Sequence, residues 1–128
     1  MMIKIKPYRK RHDQILIDLI KYEGDEWKDY TDEDKKDLYI LNCEKSITYL
    51  LFDDQTLIGY IRALEDYGYY IYICDLLIDQ RHRGHGYGKL LIEHLKEKYP
   101  KHELYVMSDE DDYYHKQGFK KVGSIFKI

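Results

Sequence analysis

The chain has 128 residues, of which 44% are hydrophobic and 35% charged, a composition that suits one compact domain. Lys and Arg number 21 against 24 Asp and Glu, for a formal net charge of -3, so we expect no overall basic field and no nucleic-acid partner. No stretch approaches the roughly 20 apolar residues that a membrane-spanning helix needs. The first residues alternate Ile and Lys and do not resemble a signal peptide, so we expect a cytoplasmic protein with no membrane partner.

The first half of the chain predicts a strand followed by two helices. Apolar and basic residues alternate over 2–6, which indicates a short strand. Apolar residues at helical spacing over 11–24 indicate the first helix. Thr31 and Asp34 resemble an N-terminal capping box, so the second helix is predicted over 32–42.

The second half predicts strands around one central helix. The predicted elements are strands over 47–52, 57–64 and 69–78, a helix over 88–99, a strand over 103–107, a helix over 109–117 and a last strand over 119–128. Short turns make the first three strands an antiparallel meander, whereas the central helix joins two parallel strands. The prediction is a single α/β domain with a mixed, mostly antiparallel sheet of about six strands and about four flanking helices.

Neither the cysteines nor the histidines form a pattern typical of a metal site. Cys43 and Cys74 lack a partner at CxxC spacing, so we interpret them as reduced thiols. His82 and His85 share one turn, but no carboxylate or Cys accompanies them at ligand spacing. We therefore expect no metal.

A glycine-rich turn, Arg83-Gly84-His85-Gly86-Tyr87-Gly88-Lys89, joins the third meander strand to the central helix. Unpaired N–H groups at a helix start carry partial positive charge, and glycines let a bulky anion approach the backbone. The expected ligand is a phosphate or a pyrophosphate. The spacing does not fit a Walker loop, because Leu90 follows Lys89, and it does not fit a dinucleotide fingerprint, because the glycines read Gly-x-Gly-x-Gly.

The residues around this turn closely resemble the acetyl-CoA-binding signature of the GNAT superfamily of N-acetyltransferases. Arg83, Gly86 and Gly88 satisfy its Arg-x-x-Gly-x-Gly formula after an apolar strand. Arg81 starts the same formula two residues earlier, and we favour the Arg83 register because Ile78 then matches the family's strand end.

A second marker of the same family lies downstream of the turn. Tyr114 stands four residues before the pair Gly118-Phe119, on the helix that follows the next strand. Together with the order of the elements, the resemblance covers nearly the whole chain.

The resemblance implies an acetyl-CoA-dependent N-acetyltransferase acting on a primary amine, either a small cationic amine or a protein amino group. In this family the pantetheine arm of the cofactor pairs with a splayed strand end, backbone amides hold the pyrophosphate, and a tyrosine protonates the departing thiolate. The tyrosine position is Tyr114 here. The implied cofactor-binding residues are Leu76, Leu77 and Ile78 for pantetheine, and Arg83, Gly84, His85, Gly86, Tyr87, Gly88 and Lys89 for pyrophosphate.

The general base is not assigned by the sequence. Some family members carry a Glu on the strand before the turn, but the position near Tyr72 has no carboxylate. Asp75 is expected on the opposite face of a regular strand. Deprotonation through water that reaches Glu65, Asp75 or a tyrosine hydroxyl remains open, as does a partly neutral substrate.

Acidic and aromatic residues over 25–34 border the acceptor cleft in the proteins that the chain resembles. The carboxylates are interpreted either as solvated helix ends or as a rim that concentrates a cationic amine. Trp27 and Tyr30 are candidates for closing that pocket, although structural packing is the alternative.

Two further hypotheses stay open at this level. The chain is either an enzyme or a non-catalytic acyl-CoA-sensing module of the same fold, while acetylation of aminoacyl-tRNA is disfavoured by the net acidity. Little sequence follows Phe119, so a partner subunit is a candidate for completing the last strand, which predicts a possible homodimer.

Overall fold

The computed structural model describes residues 2–128 as a single α/β domain. The strands are β1 Ile3–Pro7, β2 Ile47–Asp53, β3 Thr56–Asp66, β4 Tyr70–Ile78 and β5 Glu103–Val106. The helices are α1 Asp13–Glu23, α2 Lys28–Thr31, α3 Lys36–Lys45, α4 Tyr87–Lys98 and α5 Asp111–Lys116. Short 3-10 turns span Lys10–His12, Asp25–Trp27 and Gln80–His82. Within this part of the chain, no helix has the length and hydrophobicity required to cross a membrane.

The five strands form one mixed sheet in the order β1-β2-β3-β4-β5. The first three neighbouring pairs are antiparallel, and β4 pairs with β5 in parallel. The tight connection between β2 and β3 turns at Asp54, which has a positive φ of 54°. Connection length explains the pattern, because a short turn reverses the chain whereas α4 carries it back to start a parallel strand. The mixed sheet predicted from the sequence is confirmed.

The two faces of the sheet carry separate hydrophobic cores. We call them the α3 face and the α4 face. The core on the α3 face includes Leu16 and Ile20 from α1, Tyr39 and Cys43 from α3, and Leu50, Tyr60 and Leu77 from the strands. The core on the α4 face includes Leu91 and Leu95 from α4 and Ile58, Ile61, Ile71 and Ile73 from the strands. Amphipathic helices therefore cover both sides of the sheet.

The predicted start of the second helix, at residue 32 after a capping Thr31, is wrong. Thr31 does not cap a helix; it is the last residue of α2 and is only 7% exposed. The chain becomes extended at Asp32, with ψ 147°, and α3 begins at Lys36. Burial of Thr31 with the short helix outweighs the local capping preference on which the prediction rested.

The predicted last strand over 119–128 is also wrong, and the sheet has five strands. These residues form no strand, and the side chains of Val122, Ile125 and Phe126 are 68%, 59% and 81% exposed. Strand propensity alone does not make a strand, because it needs a neighbouring backbone with which to exchange hydrogen bonds. Completion of this segment by a partner subunit stays a prediction.

Candidate functional site

The glycine-rich turn starts α4 in the way that the sequence predicts. Gly84 and Gly86 have φ values of 85° and 77°, a left-handed conformation that favours glycine. Gly86 is the N-cap residue, and its carbonyl accepts the N–H of Leu90 at 3.0 Å. Within residues 2–128, the N–H groups of Gly84, His85 and Gly86 have no backbone acceptor. The start of α4 therefore presents several N–H groups that can donate hydrogen bonds to an anion.

The end of β4 has one open edge. β5 pairs with β4 only over Tyr70–Ile73, so Leu76, Leu77 and Ile78 lie beyond the reach of β5. On the other side these three residues pair with β3. An extended group can therefore add to β4 along this open edge, beside the first turn of α4. The structure brings the predicted pantetheine-binding and pyrophosphate-binding residues into neighbouring positions.

Arg83 ties the turn to its surroundings. Its Nε donates to the carbonyl of Ile78 at 2.9 Å, and its Nη2 lies 2.5 Å from Oε1 of Glu23 at the end of α1. Its charge is thus paired in this structure. In the part of the chain that the structure describes, the backbone N–H groups of Gly84, His85 and Gly86 have no such partner and are free to donate to a phosphate.

Arg81 is held by a different carboxylate. Its Nε and Nη2 donate to the two oxygens of Asp79 at 3.0 and 2.7 Å, and the guanidinium lies 4.1 Å from the centre of the Tyr22 ring. The hydrogen bonds from Arg81 lower the pKa of Asp79 to about 2, against the opposing effect of burial. Asp79 also accepts the N–H of Arg81 at 2.8 Å, which fixes the turn before Arg83.

Two adjacent tyrosines on α5 take different positions. Tyr114 lies against the core of the α4 face, with its ring centre 6.5 Å from that of Phe119, and burial raises its pKa to about 12. The Tyr113 hydroxyl lies where a Cβ atom on Gly88 would stand, so a side chain at residue 88 would overlap it. The structure therefore places Tyr113, rather than Tyr114, directly against the first turn of α4. The motif spacing marks only its neighbour, so Tyr113 could not be singled out from the sequence.

The expectation that Asp75 lies on the opposite face from Tyr72 is wrong, because β4 is not regular. Arg62 of β3 pairs with Asp75, whereas the next residue, Ala63, pairs with Ile73. Cys74 is therefore the extra residue of a β-bulge, and the bulge reverses the alternation of side chains. Asp75 consequently lies on the α3 face.

Asp75 is the centre of a buried polar cluster, the Asp75 cluster, which consists of Asp75, Arg62, Tyr30, Tyr39 and Tyr60. Its Oδ2 accepts Nε of Arg62 at 2.6 Å and the Tyr39 hydroxyl at 2.7 Å, and its Oδ1 accepts the Tyr30 hydroxyl at 2.9 Å. The hydroxyls of Tyr39 and Tyr60 are 2.6 Å apart. The Asp75 side chain is only 3% exposed, so a buried charge is here paired and hydrogen-bonded.

Tyr30 connects the Asp75 cluster to the segment between the first helices. Its ring stacks on Tyr39, with centres 4.1 Å apart, and the Trp27 ring meets it edge-on at 5.8 Å. Burial, followed by the charge of Asp75, raises the pKa of Tyr30 to about 12. The sequence singled out Trp27 and Tyr30 but missed Arg62, Tyr39 and Tyr60, because these residues come from separate elements without a common motif.

Other candidate groups lie elsewhere. Glu65 faces Ile71 at the far end of the strand pair and holds Nε2 of His102 at 2.8 Å, so it is distant in register from Asp75. His82 has its Nδ1 3.8 Å from Asp79. Among residues 2–128, no group of three or more His, Cys, Asp or Glu side chains could hold a metal ion.

Several solved structures share this fold. The PaiA N-acetyltransferase of Thermoplasma acidophilum in complex with coenzyme A is 21% identical, with a TM-score of 0.72 over 94% of this chain and 91% of that chain. An aminoglycoside acetyltransferase from an uncultured soil metagenomic sample is 21% identical, with a TM-score of 0.75 over 100% and 98%. The ribosomal-protein-alanine N-acetyltransferase of Brucella melitensis biovar Abortus 2308 is 17% identical, with a TM-score of 0.73 over 99% and 98%.

The family assignment rests on the sequence itself. A comparison with curated proteins finds no match. The sequence model of the acetyltransferase (GNAT) family matches residues 13–119, which include every element from α1 to α5. The chain therefore belongs to the GNAT acetyltransferase family.

Proposed function

We propose that the protein is an acetyl-CoA-dependent N-acetyltransferase that transfers the acetyl group to a primary amine. The observation that carries the proposal is the juxtaposition of two features, the open edge of β4 at Leu76–Ile78 and the free N–H groups at the start of α4. An extended thioester with a pyrophosphate at one end matches both. Family membership supports the same chemistry.

The donor site that we propose is built mainly from backbone. The open edge of Leu76–Ile78 pairs with the amides of the pantetheine arm, and the N–H groups of Gly84–Lys89 donate hydrogen bonds to the pyrophosphate oxygens. Arg83 contributes by fixing the turn, since its guanidinium already pairs with Glu23 and with the Ile78 carbonyl. Acetyl-CoA enters as a substrate and leaves as coenzyme A.

The transfer needs proton movement at two atoms. The amine attacks as the neutral form, so a C–N bond forms at the thioester carbon while the C–S bond breaks. We assign protonation of the departing thiolate to the Tyr114 hydroxyl, which burial keeps protonated well above neutral pH. The proton released from the nitrogen passes to solvent, because Asp75 is sealed by Arg62, Tyr30 and Tyr39.

We propose a cationic amine as the acceptor class. Asp25, Glu26 and Asp29 are exposed around Trp27, where carboxylates attract a positively charged ligand. Aminoglycoside and ribosomal-protein acetyltransferases of this fold act on amines, which supports an amine acceptor in general terms. The proposed preference for a cationic amine would be contradicted if acetyl transfer responded neither to added salt nor to neutralisation of Glu26 and Asp29.

The test is release of free thiol from acetyl-CoA in the presence of an amine panel. The panel contains spermidine, kanamycin and a peptide with a free amino terminus. We expect amine-dependent thiol release and a product whose mass exceeds that of the amine by one acetyl group. Binding of acetyl-CoA without turnover of any panel member would instead favour the acyl-CoA-sensing module.

A further inference from the structure

The Asp75 cluster lies next to the point where β4 and β5 separate. The last residue of β4 that pairs with β5 is Ile73, and Asp75 follows it directly after the bulge at Cys74. The pantetheine arm proposed above lies along the residues that come next, Leu76–Ile78, with its thioester at the end away from the pyrophosphate. Because α4 and α5 cover the other face of the sheet, an acceptor reaches this gap from the α3 face, where Tyr30 lies.

Asp75 itself has no room for a substrate. Three donors already occupy its two carboxylate oxygens, and its side chain is 3% exposed. Tyr39 and Tyr60 are also buried, at 3% and 0% exposure. Tyr30 is the tyrosine of the cluster that remains partly exposed, which makes it the candidate for contact with a ligand.

The hydrogen bond to Asp75 determines what the Tyr30 hydroxyl can do. A phenol has one O–H, and here that O–H is directed to Oδ1 of Asp75 at 2.9 Å. Its oxygen is therefore left as an acceptor only. Donation to a buried carboxylate also polarises the oxygen and strengthens its acceptance of a further N–H.

An attacking amine needs such a partner. The nitrogen lone pair must point to the thioester carbon, so its remaining N–H groups must bond elsewhere. The rings of Trp27 and Tyr30 add a surface that favours a cation before the proton is lost. The Tyr30 hydroxyl oxygen, which lies beside the Trp27 and Tyr30 rings, meets both requirements.

We propose that the Tyr30 hydroxyl accepts a hydrogen bond from the acceptor amine, and that Asp75 is the positioning residue that orients it. The inference rests on the proposed N-acetyltransferase function and names a side chain of its acceptor site. It assigns the buried carboxylate a role other than that of a base, because Arg62, Tyr30 and Tyr39 already occupy its two oxygens.

The experiment compares Tyr30→Phe with Tyr8→Phe, a matched control that removes a hydrogen bond from a core tyrosine hydroxyl to another aspartate, Asp13, and lies outside the Asp75 cluster. Steady-state kinetics with the amine panel and calorimetric binding of spermidine to the coenzyme A complex are measured for both. Tyr30→Phe is expected to lower kcat/KM for the amine and the spermidine affinity by about tenfold, the size of one hydrogen bond. Acetyl-CoA affinity stays within about twofold, and Tyr8→Phe changes amine recognition by less than about threefold.

Asp75→Asn, alone and combined with Tyr30→Phe, tests the positioning role. If Asp75 acts through Tyr30, its substitution weakens amine recognition in the wild-type background and adds little in the Tyr30→Phe background. Thermal melts identify any variant that does not fold. If Asp75→Asn does not fold, the comparison of the two phenylalanine variants decides the proposal. Equal amine recognition in Tyr30→Phe and wild type, or equal losses in the two phenylalanine variants, would overturn it.

The outcomes also separate this inference from the proposed function. Absence of thiol release by the wild type with every amine contradicts the N-acetyltransferase proposal. Calorimetric binding of spermidine still tests Tyr30 in that situation. Active wild type with unaffected Tyr30→Phe contradicts the Tyr30 assignment alone.

Discussion

The two sides of the proposed active site are built in opposite ways. The donor side, Leu76–Lys89, is one continuous stretch of chain in which backbone groups supply most of the contacts that we propose. The acceptor side, the Asp75 cluster with Trp27, collects side chains from the 3-10 turn before α2, from α2 and α3, and from β3 and β4. A backbone site tolerates many side chains and keeps one ligand, whereas a side-chain site can change its ligand by substitution. We infer that this division fixes the donor and leaves the acceptor variable.

The largest expected effect is on the acceptor side. Asp75→Ala leaves the Arg62 guanidinium, whose side chain is 11% exposed, without its buried partner, and we expect a loss of about 3–5 kcal/mol in the free energy of unfolding. Urea unfolding measures it. The control is Asp29→Ala, whose side chain is 77% exposed and whose ion pair with Lys35 lies at the surface, with an expected change of less than about 1 kcal/mol. Similar losses in both variants would contradict the difference between buried and exposed carboxylates.

The second prediction concerns the proposed thiolate acid. Tyr114→Phe removes the hydroxyl but keeps the ring that lies near Phe119, so we expect kcat to fall by about 100-fold while the acetyl-CoA dissociation constant changes by less than about twofold. Thiol-release assays measure kcat, and calorimetry measures the acetyl-CoA dissociation constant. Tyr113→Phe is the matched neighbour. Unchanged turnover in Tyr114→Phe, with loss in Tyr113→Phe, would transfer the role to Tyr113.

The third prediction tests the packing of α5 on the donor side. Gly88→Ala places a Cβ atom on the Tyr113 hydroxyl, so we expect destabilisation by about 1–3 kcal/mol even though Ala favours a helix. Combining it with Tyr113→Phe removes the overlap with the hydroxyl and leaves the ring Cζ at 3.3 Å, so it should restore part of the loss. Gly123→Ala meets nothing within 4 Å and serves as the control. Thermal melts that fail to distinguish Gly88→Ala from Gly123→Ala would contradict this contact.

The smallest effect is a dependence of stability on pH. The folded pKa of Asp79 is about 2, below its ordinary value of 3.8, so its pairing with Arg81 stabilises the native state above about pH 4. That contribution is lost as the pH falls through about 2. We expect about 1 kcal/mol, because the Arg81 side chain is 61% exposed and solvent screens the pair. Asp79→Asn should flatten the curve between pH 4 and 2; an unchanged slope would contradict the pairing.

Local chemistry explains why much of the donor side was predictable. The glycines of the turn, the apolar strand before it and the amphipathic helix after it are neighbours in sequence, and each acts through its own backbone conformation. The order and type of the elements from 47 to 117 were predicted for the same reason. The roles of individual cofactor-binding residues and of Tyr114 stay predictions.

The errors all involve contacts between distant parts of the chain. Thr31 is buried at the end of α2 and does not form the predicted capping box. The predicted strand at 119–128 has no neighbouring strand in the structure. The bulge at Cys74 depends on the register between β3 and β4, which no short window of sequence specifies. That single extra residue moved Asp75 to the face where Tyr30 lies.

Patterns along the chain and local backbone conformation were enough to predict the family, the kind of fold and the stretch expected to hold the donor. The contacts of Asp75 with Arg62, Tyr30 and Tyr39, and of Tyr113 with Gly88, became visible only in the folded chain. Those contacts join residues separated by up to 45 positions. Their geometry follows from strand register and helix packing, which are properties of the folded chain rather than of any segment within it.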